Sequence, residues 1–122
     1  MDKPQIERAL EQLTDRSLLL VEDDTPFRTR MARALEARGF IVTQAEGAVA
    51  AEAAVKAGAP AFAVVDLRLG DGSGLDVVRA IHETRPDARV IMLTGYGNIA
   101  TAVSAVKFGA IDYLPKPSDP DD

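Results

Sequence analysis

Acidic side chains gather at two places along this 122-residue chain, and one threonine and one lysine stand where they could complete a site. Glu22, Asp23 and Asp24 follow the apolar run Leu18–Val21, and Asp66 follows Phe62–Val65. Thr94 follows Val90–Leu93, and Lys116 comes just after Ile111–Leu114. Two carboxylates ~4 Å apart repel by roughly 4 kcal/mol at an effective dielectric of ~20. Three in one pocket therefore require a cation or a held proton. With oxygen ligands and no cysteine in the chain, the favoured ion is hard and divalent, Mg2+ first, then Mn2+ or Ca2+. Lys116 offers a point charge to an anionic oxygen. A carboxylate, a divalent cation, a lysine and a hydroxyl together suit phosphoryl transfer to the carboxylate.

Such a site exists only if the fold brings these residues to one place. Leu18–Val21, Phe40–Val42, Phe62–Val65, Val90–Leu93 and the shorter Ile111–Leu114 read as strands, with helical spacing between them. The alternation predicts an α/β fold, a doubly wound parallel sheet of five strands with helices on both faces. Continuous apolar strands fit burial on both sides. In such sheets ligands bind at the carboxyl rim, where strand order reverses. With order 2-1-3-4-5, Glu22, Asp23 and Asp66 share one crevice flanked by Thr94 and Lys116.

The helices are punctuated by composition. Thr25 is the expected cap of the first, with Pro26 at its first turn and Gly39 as a left-handed stop. Ala48–Ala57 is a second, ending at Gly58. Leu75, Val78 and Ile81 mark a third, stopped near Pro86, and Ile99, Ala102, Val103 and Val106 a fourth, stopped at Gly109. An additional helix is expected over Pro4–Leu13, where Ile6, Leu10 and Leu13 form one stripe. The expected division is an extension over 1–16, one domain over 17–117 and a loop over 118–122.

Other chemistries are excluded by the same residues. A net charge of −5 argues against this segment gripping nucleic acid by itself. No apolar run approaches bilayer length, and no basic-then-apolar segment opens the chain, so neither a membrane span nor a secretory signal is expected. The absence of cysteine removes disulfides and thiolate sites and fits a cytoplasmic setting. His82, the single histidine, is expected on the surface, and zinc has no ligand set. Gly95, Gly97 and Ala100 mimic a dinucleotide-binding turn. That turn belongs after the first strand, where this chain carries acids that would repel pyrophosphate.

Five ordered segments carry a family resemblance: Leu19–Asp24, Val64–Leu69, Gly70–Leu75, Met92–Gly95 and Asp112–Pro117. Together they resemble the CheY-like receiver domain of two-component response regulators, from about Leu18 to Pro117. The stretches around Asp66–Val78 and Leu93–Val103 are most similar to redox-responsive regulators of the RegA/PrrA/ActR type. The resemblance implies a flavodoxin-like fold and a signalling protein, not an enzyme, that is phosphorylated by a sensor histidine kinase.

It further implies roles for single residues. Asp66 would be the phosphoacceptor. Asp23, Asp66 and the Arg68 backbone carbonyl would bind Mg2+ directly, and Glu22 through water. Thr94 and Lys116 would contact phosphoryl oxygens, and Thr94 and Tyr113 would form a switch acting on the fourth helix and fifth strand. Gly95 would leave room for the phosphoryl group, while Arg68 and Tyr96 occupy positions that tune its lifetime. The Lys116–Pro117 bond would be cis. The fifth helix usual in receivers does not fit before Asp122, which suggests a longer regulator with a DNA-binding output domain. The Pro4–Leu13 helix would then cover the gap, in its own chain or across a homodimer. The alternative reading is a degenerate receiver that serves only as an interaction module.

Overall fold

The computed structural model describes residues 15–93 and the backbone of 94 and of 112–115. Strand β1 (Ser17–Val21) leads to helix α1 (Thr25–Ala37), then β2 (Ile41–Ala45), α2 (Ala48–Ala57) and β3 (Phe62–Asp66). A short hairpin follows, β4 (Arg68–Leu69) and β5 (Gly72–Ser73), then α3 (Gly74–Thr84), β6 (Arg89–Thr94) and β7 (Asp112–Pro115). The main sheet is parallel, in the order β2-β1-β3-β6-β7. Apart from the hairpin, this is the predicted 2-1-3-4-5 order. The expected helices over Pro4–Leu13 and Ile99–Val106, the 118–122 loop and the Lys116–Pro117 bond lie outside the described residues.

Strand alternation explains why β1 and β3 read as unbroken apolar runs. Successive side chains point to opposite faces, and here both faces are covered. Leu18, Leu20, Val64 and Leu93 pack with Ala32 on the α1 side. Leu19, Val21, Ala63, Val65, Val90 and Met92 pack on the other side with α2 and α3, through Ala51, Val55, Val77, Val78 and Ile81. Each large side chain so buried contributes about 1.5–3 kcal/mol of transfer free energy. Phe40 and Phe62 meet edge to face at 5.2 Å between ring centres, closing the α1 side.

Several local expectations are corrected. The cap of α1 is Asp24, not Thr25: its carboxylate accepts from the Phe27 amide at 3.1 Å while its backbone stays extended. Thr25 is already helical, and Pro26 sits in the first turn, where a missing N–H costs nothing. Gly39 does stop the helix, at φ 99°. The second strand runs three residues past Val42, to Ala45, and as an edge strand it is largely exposed, Ile41 at 69%. The last strand is displaced by one residue, from Ile111–Leu114 to Asp112–Pro115. Nothing in the sequence marks the β4–β5 hairpin, because two-residue strands leave no periodicity to detect.

Candidate functional site

The strand registers set the rim. Val21 pairs with Val65, Asp66 with Leu93, and Thr94 with Pro115. Glu22 therefore leaves the sheet level with Asp66, one residue beyond paired backbone. Glu22 is 0% exposed and Asp66 4%, whereas Asp23 faces solvent. One carboxylate oxygen from each of the three lies within 4.8 Å of the others. Asp24, next in the chain, is turned away to cap α1.

Backbone ties hold these acids in place. The Glu22 amide donates to the Ala45 carbonyl at 3.1 Å, and the Glu22 carbonyl accepts from the Arg28 guanidinium at 2.8 Å. Arg28 also donates to the Gln44 side chain at 3.2 Å, so α1, β2 and the acidic loop share one basic residue. On the other side, the Leu67 amide donates to Leu93 at 2.9 Å and the Arg68 amide to the Asp66 carboxylate at 3.3 Å. Helix α3 begins directly on this backbone. The Gly74 amide donates to the Leu67 carbonyl at 3.0 Å. A Cβ at Gly74 would collide with the Asp66 carbonyl oxygen and stand 3.0 Å from both the Asp66 carbonyl carbon and Leu67 Cα. Glycine is required there because the neighbour is backbone.

Of the sequence-predicted residues, the structure brings Glu22, Asp23 and Asp66 together and holds the Arg68 main chain beside Asp66. The Thr94 backbone ends β6 on the same rim, and the Tyr113 backbone pairs with Met92 in β7. Lys116, Gly95 and Tyr96 lie outside the described residues. His82 requires a correction: it is half-buried, and its Nε2 lies 2.9 Å from the Ala88 carbonyl, tying α3 to the turn before β6. The sequence reading does not single out Arg28, which holds the acidic loop, or Gly74, which packs against the Asp66 backbone. A basic residue one turn after the acidic run was the signal for Arg28, and a glycine abutting a cap serine that for Gly74.

The donor set suits a hard cation. A carboxylate taken out of water is costly unless its charge is compensated, and here two buried acids and one exposed acid converge. All three offer oxygen, the ligand type of Mg2+, Mn2+ and Ca2+. No histidine or cysteine joins them among the described residues.

The known family of response regulator receiver domains matches residues 18–122. The chain belongs to this family. Receiver domains typically bind Mg2+ at an acidic pocket, and Glu22, Asp23 and Asp66 form an acidic cluster here. The receiver domain is 63% identical over 108 residues to the acid tolerance regulatory protein ActR of Sinorhizobium medicae, covering 88% of this chain and 56% of the relative. It is 62% identical over 109 residues to the photosynthetic apparatus regulatory protein RegA of Rhodobacter capsulatus, covering 89% and 59%. The chain thus spans little more than half the length of these relatives.

Solved structures agree. A response regulator from Burkholderia pseudomallei, crystallised with a phosphorylated aspartic acid, calcium ion and citrate, superimposes with a TM-score of 0.79 at 43% identity, covering 88% of this chain and 63% of that one. A CheY-like receiver domain from Methanospirillum hungatei gives 0.79 at 30% identity, covering 89% and 87%. The chain is accordingly a response regulator receiver domain with a flavodoxin-like fold, similar to the matched regions of RegA and ActR. Among the described residues no helix is long and apolar enough to cross a membrane.

Proposed function

We propose that this receiver accepts a phosphoryl group on Asp66 from a phosphohistidine of a sensor histidine kinase. The observation that carries the reading is the convergence of Glu22, Asp23 and Asp66 at one rim, with the acceptor almost fully buried and the cluster open through Asp23. An Asp66 oxygen attacks phosphorus, forming the P–O bond as the P–N bond to the donor imidazole breaks, and the imidazole leaves with the electron pair and takes a proton. The Arg68 amide orients the Asp66 carboxylate for that attack. Asp23, Asp66 and the Arg68 carbonyl would hold Mg2+, with Glu22 acting through water. When bound, the ion supplies positive charge to the phosphoryl oxygens. Lys116 and Thr94 are assigned to the remaining phosphoryl oxygens, and Tyr113 to a rotamer change that follows Thr94.

Phosphorylation adds about −1.5 to −2 charges and three acceptor oxygens. The arrangement that contacts these best gains population, and the readout is the surface formed by β7 and the helix expected over Ile99–Val106. That surface would govern a DNA-binding output domain, in keeping with relatives such as the transcriptional regulatory protein AlgB of Pseudomonas aeruginosa, 38% identical over 104 residues. The setting is cytoplasmic, and a homodimer is the assembly through which such an output would act. The phosphorylated aspartate and calcium of the similar Burkholderia regulator support both the acceptor chemistry and the hard-cation site. A purely degenerate receiver is disfavoured because its acids would be dispensable, whereas here all three are brought together.

Incubation with acetyl phosphate and Mg2+ should add one phosphoryl group by intact mass, and Asp66→Asn should add none. Equal labelling of Asp66→Asn would overturn the assignment.

A further inference from the structure

The segment after the acceptor strand is fastened to a helix distant in sequence. Helix α2 has Gly47 at its cap position, which has no side chain to satisfy the first amides. Those amides find Asp71 instead: Ala48 N donates to Oδ1 at 2.7 Å and Val49 N to Oδ2 at 3.1 Å. Both oxygens are used, which fixes the carboxylate's orientation as well as its position. A negative group also suits the positive end of a helix. The fit is tight on both sides. A Cβ at Gly47 would stand 2.5 Å from Asp71 Oδ1, and a Cβ at Gly72 would stand 2.9 Å from Ala48 Cβ.

The fastened loop is the one that frames the acid cluster. It leaves Asp66, donates back to the Asp66 carboxylate through the Arg68 amide, and passes Asp23, whose Oδ2 would be 3.9 Å from a Cβ at Gly70. It is anchored at its base by the Leu67 amide on Leu93 and the Gly74 amide on Leu67. Its tip is held to α2 by Asp71.

We propose that Asp71 is a positioning residue for phosphoryl transfer, locking the β3–α3 loop to α2 so that the backbone around Asp66 and Asp23 is set before a donor arrives. Asp71 touches neither acceptor nor donor; it acts through the loop. The proposal rests on Asp66 being the acceptor.

Two roles must be separated, since Asp71 also caps α2. In Asp71→Ala the cap and the lock are both lost. Adding Gly47→Asp returns an acceptor to the cap position and keeps net charge, in the space that Asp71 vacates, but leaves the loop untied. The assays are the acetyl phosphate labelling rate by intact mass, Mg2+ affinity by calorimetry and the urea midpoint. Asp71→Ala should label roughly tenfold more slowly, within the ~100-fold that a 1 Å misplacement can cost, with weaker Mg2+ binding and a lower midpoint. The double variant should recover the midpoint but not the labelling rate or Mg2+ affinity. In Gly47→Ala the new methyl evicts the Asp71 carboxylate, so labelling should slow with Asp71 itself unchanged. Wild-type labelling in Asp71→Ala, or recovery of both properties in the double variant, would reduce Asp71 to a helix cap. Absence of labelling in the wild type would overturn the assignment of Asp66 first, and the positioning role with it.

Discussion

The crowding of three carboxylates can be tested by removing one charge at nearly constant shape. Asp23→Asn is the suitable change, because Asp23 faces solvent and its loss leaves no buried gap. At the 4.8 Å limit of the cluster, one pair of unit charges repels by ~0.9 kcal/mol in bulk water and by ~3.5 kcal/mol at an effective dielectric of ~20. Exposure of Asp23 places its contribution near the lower figure. Asp23 faces two such partners, Glu22 and Asp66, so in chelator Asp23→Asn should be more stable than wild type by about 1–2 kcal/mol in urea unfolding. Mg2+ should reverse the order. A ligand at 100 times its dissociation constant stabilises by about 2.7 kcal/mol, and the variant has lost part of the site that captures it. The assay is a pair of urea titrations, with chelator and with saturating Mg2+, and the signature is a crossing of stabilities. Asp24→Asn is the control: it removes the same charge one residue away, preserves a good cap, and should leave the Mg2+ response intact. Loss of stability in chelator, or a wild-type Mg2+ response in Asp23→Asn, would refute the electrostatic account.

Two further outcomes follow from the packing and the ion pairs. Gly74→Ala places a methyl against the Asp66 and Leu67 backbone, so unfolding free energy should fall by ~1–3 kcal/mol and labelling should slow; helix propensity alone favours alanine by ~1 kcal/mol, so a raised midpoint would show that the helix start yields. Asp15 is held at about 2, below its usual 3.8, by the Arg85 hydrogen bond at 2.7 Å and the Ser17 amide. Because the folded value is depressed, its stabilisation is complete above the unfolded value and is lost as pH falls from 3.8 toward about 2. The stability gap between wild type and Asp15→Asn, measured by urea titration at successive pH values, should therefore close over that window, and a constant gap would dispose of the assignment.

Much of the site was legible before any coordinates. Acids, a threonine and a lysine at successive strand ends announce a rim site in a parallel sheet, because crossover connections return each strand in the same direction. The doubly covered core was equally legible in Leu18–Val21 and Phe62–Val65, since only strands buried on both faces dispense with alternation. Strand order came from the ligand rule for open sheets and from the family resemblance, and the backbone pairing bears it out.

Other assignments needed the third dimension. Asp23 and Asp24 are adjacent and chemically identical; the resemblance already put Asp23 and not Asp24 in the cluster, but only the structure shows that Asp24 is the residue that caps α1. Composition cannot separate them, because the direction in which the chain turns into the helix decides which carboxylate meets the amides. Gly47 and Asp71 lie far apart in the chain, and nothing local to either marks the other as its partner. Their contact arises only when the β4–β5 hairpin folds back over the start of α2. His82 likewise finds the Ala88 carbonyl through the turn after α3. Local pattern thus determined which residues carry the chemistry, since charge and periodicity are properties of neighbouring positions. Tertiary structure decided how they are held, because hydrogen-bond partners are chosen by distance in space.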